Sequence, residues 1–232
     1  MCSKIICKGQ IKGFPLIKIQ EKDTIDLIKK GSIRLNSLKV YRDFYNKYGD
    51  KTIGDPNEGK FIIHDAILKI PELGINQKVK DQAFATANEN DFVFCLFGIN
   101  PNKYSSFNFT EEQKQKLMGF HDTALIITDV HEFSRRMYDA ANSLGLKMTS
   151  GFVSYYDETV DDVVRLCNLV CKGIESIVYY QTKDYSYQQE YRFSIPNNIG
   201  KDYEELQIGD ISGITLEVKT EELFEMYIQK RD

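Results

Sequence analysis

Short apolar runs and helix-period stretches alternate irregularly along the chain. The pattern predicts a strand over Phe14 to Ile19, then a short helix capped by Asp23 or Thr24 that carries Ile25 and Ile28 and stops at Gly31. Ser32 to Asn36 follows as a strand, with Ile33 and Leu35 on one face and Arg34 on the other. Leu38 to Tyr45 is aromatic and basic, and Asn46 to Lys60 is rich in turn formers. Phe61 to Ile70 reads as a strand, whereas Pro71 to Asn90 is polar and poorly patterned. The near-continuous apolar run within Asp91 to Gly98 suits a strand buried on both faces.

Thr110 and Gln113 form a capping box for a helix ending near Gly119, and Ala124 to Thr128 is another buried strand. Asp129 and Glu132 open a helix with Phe133, Met137, Ala140 and Leu144 at helical spacing, closed by Gly145. Phe152 to Tyr156 is a short strand. Asp157 caps an expected helix whose stripe runs from Val160 through Cys167 to Cys171, ending at Gly173. Strands over Ile174 to Tyr180 and Gln189 to Ile195 enclose a polar, Tyr-rich loop; Ile211 to Val218 is the last strand, and Thr220 caps the final helix through Tyr227. No repeat, low-complexity tract or linker interrupts this order. The expectation is one α+β domain over 1–232, with a mixed, mainly antiparallel sheet flanked by short helices.

Composition narrows the classes. A chain of 232 residues can bury about 70% of its unfolded surface, so its core needs no staples. The formal net charge of −4 excludes a strongly basic polyanion binder, while leaving room for a local basic groove. No apolar run reaches the roughly 18–20 residues of a membrane span, and Met1 to Lys12 intersperses Lys with short apolar pieces, unlike a secretory signal. Five scattered Cys argue against a disulfide framework. The expected setting is the reducing cytoplasm, with no membrane partner.

Few residues carry recognisable chemistry. Cys167 and Cys171 share a helical face but have no second ligand pair for zinc, and both continue a Val stripe. His64, His121 and His131 are isolated from one another. No phosphate loop, dinucleotide Gly motif or nucleophile elbow is present. The turn Gly54-Asp55-Pro56-Asn57-Glu58-Gly59 is more distinctive: it either presents two carboxylates on one side or is an ordinary solvated turn. In Glu190 to Ile195, strand alternation puts Glu190, Arg192 and Ser194 on one face. That face either binds a polar ligand or holds a surface ion pair.

With these two segments the chain resembles a broad family of bacterial and phage proteins. The shared features are Ile17-Lys18-Ile19 through Tyr41-Arg42, the Asp-Pro-x-Glu-Gly turn, the Phe94-Cys95-Leu96 strand, and the late Lys183-to-Arg192 segment ending in Glu-Tyr-Arg. More distantly, it resembles the ADP-ribosyltransferase fold, whose enzymes place an Arg or His, a Ser or Tyr, and a Gln/Glu-x-Glu on successive strands. Arg34, Ser154 and Gln188-Gln189-Glu190 occur in that order. The resemblance implies NAD as cofactor and no metal. Arg34 would hold the pyrophosphate as a fork, and Ser154 would orient the nicotinamide side. Tyr155, Tyr185 or Tyr187 would stack on nicotinamide. Glu190 would stabilise oxocarbenium-like charge and Gln188 would position the acceptor. Arg42, Asp55, Glu58 and Arg192 are candidate substrate-binding residues.

The leading expectation is therefore a mono-ADP-ribosyltransferase acting on a protein or nucleic-acid acceptor, as an effector or toxin in phage–host conflict. The alternative is a non-catalytic defence sensor or inhibitor that grips a protein partner or nucleotide signal through the Tyr-rich loop and the Asp55/Glu58 turn. A third reading is a metal-dependent nuclease using Asp55, Glu58 and Glu190.

Overall fold

The computed structural model describes residues 13–49, 54–85, 90–100, 102–103, 106–160, 171, 173–197 and 200–229. In chain order the elements are β1 (Leu16–Gln20), α1 (Lys22–Lys29), β2 (Ser32–Ser37), α2 (Leu38–Tyr48), β3 (Lys60–Ile70), β4 (Ile75–Ala85) and β5 (Phe92–Gly98). Then come β6 (Ser106–Phe107), α3 (Glu111–Met118), β7 (Thr123–Ile127), α4 (Val130–Ser143), β8 (Thr149–Phe152) and β9 (Ser154–Tyr156). The chain closes with β10 (Tyr180–Thr182), β11 (Glu190–Ile195), β12 (Tyr203–Gln207), β13 (Thr215–Lys219), α5 (Thr220–Phe224) and β14 (Ile228–Gln229). This is an α+β fold with a mainly antiparallel sheet. No described helix is long and apolar enough to cross a membrane.

Several elements form for local reasons. Thr110 caps α3 through a capping box with Gln113, and Asp129 accepts the Glu132 N–H to open α4. The turn after α1 needs glycine: Gly31 has φ +95°, and a Cβ there would lie 2.2 Å from the Gly209 carbonyl oxygen. The Gly31 carbonyl in turn accepts the Ile208 N–H at 2.8 Å, which ties the end of α1 to the loop after β12.

Eight strands build the main sheet, in the order β12-β2-β5-β1-β7-β13, with β11 pairing β5 and β8. Its pairings are all antiparallel; β9 and β10 form a separate parallel pair, and β3 with β4 a separate hairpin. β11 covers one edge of β5 from Phe92 to Phe97. The other edge is shared: β2 pairs only at Phe92 and Val93, and β1 only at Phe97 and Gly98. Residues 94–96 therefore have no strand partner on that edge, and the sheet forks there. Lys18 fills part of the fork, its Nζ donating to the Cys95 carbonyl at 2.9 Å.

The sheet buries both faces. On one, Leu16, Phe94, Leu125 and Phe193 meet Ile25 and Ile28 of α1 and Phe133 and Met137 of α4. On the other, Ile17, Phe97 and Ile126 meet Leu117 of α3 and Leu223 and Phe224 of α5, while Val93 meets Leu38 of α2.

The structure differs from the sequence reading in several places. No helix was expected where α2 forms, the N-cap of α1 falls at Glu21 rather than Asp23 or Thr24, and Ser212–Ile214 is a 3-10 turn ahead of β13. The polar stretch after Pro71 holds β4, paired with β3 along its length. β12 was not expected; it is the edge strand, with Tyr203, Glu205 and Gln207 exposed. Ile174–Tyr179 is a 3-10 turn rather than a strand, with only Tyr180–Thr182 extended. The expected strand over Phe152 to Tyr156 is two strands, joined at Val153 and paired to different partners. The predicted helix between Val160 and Cys171 lies largely outside the described residues.

Candidate functional site

The site is built around β11. Gln189, just before it, is left-handed at φ +41°, a conformation costly for a residue with a Cβ. Its carbonyl accepts the Gly98 N–H at 2.9 Å, and the next N–H, of Glu190, is taken by the Tyr155 hydroxyl at 2.8 Å. From there alternation sends Phe193 and Ile195 into the apolar face and Glu190, Arg192 and Ser194 to the other.

Arg192 is 1% exposed, and each of its three nitrogens donates. Its Nη1 donates to Glu58 Oε1 and to the Val178 carbonyl, each at 2.7 Å, and its Nη2 to Glu58 Oε2 at 3.2 Å. Its Nε donates to Glu190 Oε2 at 2.5 Å. The two distinctive sequence segments are thus one structure: Glu58 and Arg192, 134 residues apart, form a buried bidentate ion pair.

The turn that carries Glu58 is folded to suit. Asp55 Oδ1 accepts the Asn57 N–H at 2.8 Å, and Gly59 is left-handed at φ +70° beside Leu38. The Gly54 carbonyl accepts the Tyr185 hydroxyl at 3.0 Å, and the Glu58 carbonyl accepts Arg42 Nη1 at 2.7 Å. Gln181 Nε2 donates to Asp55 Oδ2 at 3.4 Å and to Glu58 Oε2 at 3.3 Å. Asp55 and Glu58 are both buried, so the turn is not a solvated one.

Three carboxyl groups around one guanidinium set the electrostatics. Burial pushes Glu58 up to about 7 against the pull of Arg192, with Asp55 and Glu190 adding to the rise. Burial also raises Asp55. For Arg192, burial works against the charge, but Glu190 and Glu58 outweigh it and hold the group ionised. Burial lowers Lys18 and raises the Cys95 thiol and the Tyr155 hydroxyl.

Glu190 stands in the wall between two cavities. The larger, about 900 Å³, is lined by Gly98, Lys103, Phe152, Tyr155, Lys183 and Glu190 among others. The smaller, about 190 Å³, lies at the fork of the sheet and includes Lys18, Asn36, Tyr41, Gln181, Gln188 and Glu190. Among the described residues only Oε2 of Glu190 takes a hydrogen bond, and that end is fixed by Arg192.

The candidate residues divide accordingly. Tyr155 and Glu190 meet in the large cleft, and Gln188, Glu58, Glu190 and Arg192 at the small cavity. Asp55, Arg42 and Tyr185 support the turn behind it. Tyr187 is buried, with Lys116 Nζ 4.4 Å from its ring centroid. Arg34 and Ser154 do not join them. Arg34 is exposed on β2, 3.9 Å over the Tyr203 ring and donating to Asn36 Oδ1 at 3.0 Å; it lines neither cavity. Ser154 is exposed on β9 and lines neither, although Val153 and Tyr155 on either side line the cleft.

Of the other candidates, His121 reaches the small cavity, His131 is exposed at the start of α4, and Cys171 is exposed. Cys167 lies outside the described residues, and His64 lies on β3. Among the described residues no three His, Cys, Asp or Glu form a group that could hold a metal ion. Glu58 and Glu190 bond the Arg192 guanidinium, and Asp55 is linked to Glu58 through Gln181.

Lys103 and Gln181 escaped the sequence reading, and Lys18 and Lys183 entered it only as parts of shared segments, with no role assigned. For Lys18 a signal existed: a charge between Ile17 and Ile19 on a buried strand needs a reason. The others sit in polar stretches where nothing singles them out. No family model matches the chain, and neither a curated protein nor a solved structure does.

Proposed function

We propose that the protein is an NAD-using mono-ADP-ribosyltransferase-like enzyme that works from the large cleft. The observation that carries this reading is Glu190: a carboxylate on the cleft wall, pinned through one oxygen by a buried guanidinium and flanked by aromatic and cationic side chains. Lys103 and Lys183 supply the positive charge a pyrophosphate needs, and Phe152 and Tyr155 supply rings for a base. In this reading the two lysines take the role that the resemblance assigns to Arg34. The late Gln188-x-Glu190 pair keeps the order of the ADP-ribosyltransferase fold, with Glu190 on the wall of the cleft.

The chemistry follows from that placement. The bond from ribose C1′ to the nicotinamide nitrogen breaks, its electron pair leaves with nicotinamide, and positive charge builds on C1′ and the ring oxygen. The Glu190 carboxylate, already oriented by Arg192, stabilises that charge without reorganising. An acceptor nucleophile then bonds C1′ and gives up its proton to solvent water.

Calorimetric titration with NAD and a nicotinamide-release assay test the reading. Wild type binds NAD and releases nicotinamide. Glu190→Gln binds NAD but loses about 10²–10³ in release. Lys103→Glu with Lys183→Glu weakens binding at least tenfold, while Arg34→Ala leaves it within twofold. No NAD binding by the wild type overturns the reading.

The exposed position of Ser154 favours a second reading. With that role unfilled, the cleft holds a nucleotide as a signal without turning it over, and NAD binding without nicotinamide release supports it.

A further inference from the structure

The small cavity has properties that the large cleft does not share. It opens where β1 and β2 part along the edge of β5, so its walls include side chains that would otherwise be covered by a neighbouring strand. Its volume is about 190 Å³. A cavity of about 150 Å³ holds one benzene-sized ring, so this one admits a single ring and excludes a dinucleotide.

Three primary amides line it: Asn36, Gln181 and Gln188. Each carries both donor and acceptor atoms, a mixture suited to a guest with both. Gln181 is 4% exposed, with its Nε2 engaged by Asp55 and Glu58. Its Oε1 is buried and, among the described residues, has no hydrogen-bond partner, a state that costs about 1–3 kcal/mol unless a guest N–H meets it. Among the described residues Lys18 Nζ makes a single hydrogen bond, to the Cys95 carbonyl, and so keeps donors for a guest carbonyl. Tyr41, Phe97 and Phe120 contribute flat apolar surface. Both signs of charge line the walls, Lys18 and Arg192 facing Glu58 and Glu190, with His121 beside them, so neither sign dominates. A charged guest would gain no net counter-charge there and would lose its hydration.

We infer that this cavity is a second binding site, for a neutral single-ring heterocycle with an amide edge. Its N–H would meet Gln181 Oε1 and its carbonyl Lys18 Nζ, with the ring against Tyr41 or Phe97. Ring binding does not depend on NAD chemistry. If the proposed function holds, the ring beside Glu190 is either the base of the bound dinucleotide or a separate acceptor base.

Isoleucine-methyl NMR of the full chain tests this. Ile17 and Ile19 line the cavity, while Ile25 and Ile28 pack under α1 on the opposite face and serve as controls. Nicotinamide and uracil, added separately, should give saturable shifts of Ile17 and Ile19 with Kd of about 1 mM or tighter. Nicotinate and methylguanidine, the charged probes, should bind at least tenfold more weakly. Gln181→Leu should weaken ring binding tenfold or more. Should that variant fail to fold, Asn36→Leu at the cavity rim makes the same test.

Competition with NAD then separates the two sources: displacement of uracil by saturating NAD marks the dinucleotide's own base, and simultaneous binding marks an acceptor base. Ring binding that persists without any NAD binding leaves this inference standing and removes the proposed function. Absence of saturable shifts with both neutral rings overturns the inference, as does equal binding of nicotinate and nicotinamide.

Discussion

The two faces of β5 and β11 are made from the same strands and solve opposite problems. On the α4 side, Phe193 is wholly buried, 5.7 Å from the Phe133 ring and 5.4 Å from Tyr191 by centroids, with Phe94 alongside in the same apolar cluster. Burying such a ring contributes about 1.5–3 kcal/mol, needs no partner of particular geometry, and is indifferent to pH. One residue earlier, Arg192 is buried as deeply on the other side, among Glu58, Glu190 and the Val178 carbonyl. Removing those charges from water costs several kcal/mol per ion, which attraction repays only when every hydrogen bond is made. The apolar face holds the fold; the polar face fixes where the 54–59 turn sits against β11 and which way Glu190 points.

The sharpest way to break that comparison is at Arg192. Arg192→Met leaves Glu58 buried without a counter-charge and should cost about 3–5 kcal/mol. Phe193→Ala should cost a similar amount, about 3–5 kcal/mol, through its cavity. Denaturant titrations at several pH values tell them apart. The cost of Phe193→Ala stays constant, whereas that of Arg192→Met shrinks toward low pH, as Glu58 becomes neutral. Equal pH dependence would mean that the ion pair does not behave as described.

Next in size is the contrast drawn by the proposed function, under which Glu190 acts on the reacting ribose. Glu190→Gln should reduce nicotinamide release by the equivalent of about 3–4 kcal/mol in barrier, while keeping the urea midpoint much closer to wild type than Arg192→Met does. Loss of folding and activity together would assign Glu190 to the scaffold.

A pH effect follows from Glu58. It binds its proton more tightly in the native than in the unfolded chain. Its contribution to stability is therefore complete below its ordinary value of 4.5 and is lost as pH rises through about 7. Asp55 shifts in the same direction. Glu58→Gln should flatten the fall in stability across that window, seen as a smaller difference in Tm between pH 4.5 and 7.

A smaller effect is expected at Gly59, where Gly59→Ala must hold φ +70° with its Cβ 2.6 Å from Leu38 Cδ1. A cost of about 1–3 kcal/mol, measured by urea unfolding, fits a strained turn. The smallest lies at the exposed cluster of Lys22, Asp26 and Glu217 on the sheet's far side. Lys22→Ala should leave the urea midpoint within error, because solvent screens what Arg192 feels in full.

How much of this was legible in the chain depends on range. The capping box at Thr110, the stop at Gly31 and the doubly buried β5 are local patterns, and the structure has each of them. β12 and β4 escaped because neither carries an apolar run: β12 is an edge strand of charged and polar residues, and β4 pairs only with β3. The site was legible as two segments and not as a place. Nothing between Glu58 and Arg192 reveals that they bond, and the ordered spacing of Arg34, Ser154 and Glu190 does not say which of them face a common hollow.

Periodicity and capping act over a few residues, so the identity of most helices and buried strands was written in the chain itself, as was the division of β11 into an apolar and a polar face. The fork at β5, the salt bridge that spans the fold, and the exile of Arg34 onto Tyr203 were decided by packing. Which strand takes which edge depends on the summed burial of every element at once, and no local window contains that sum.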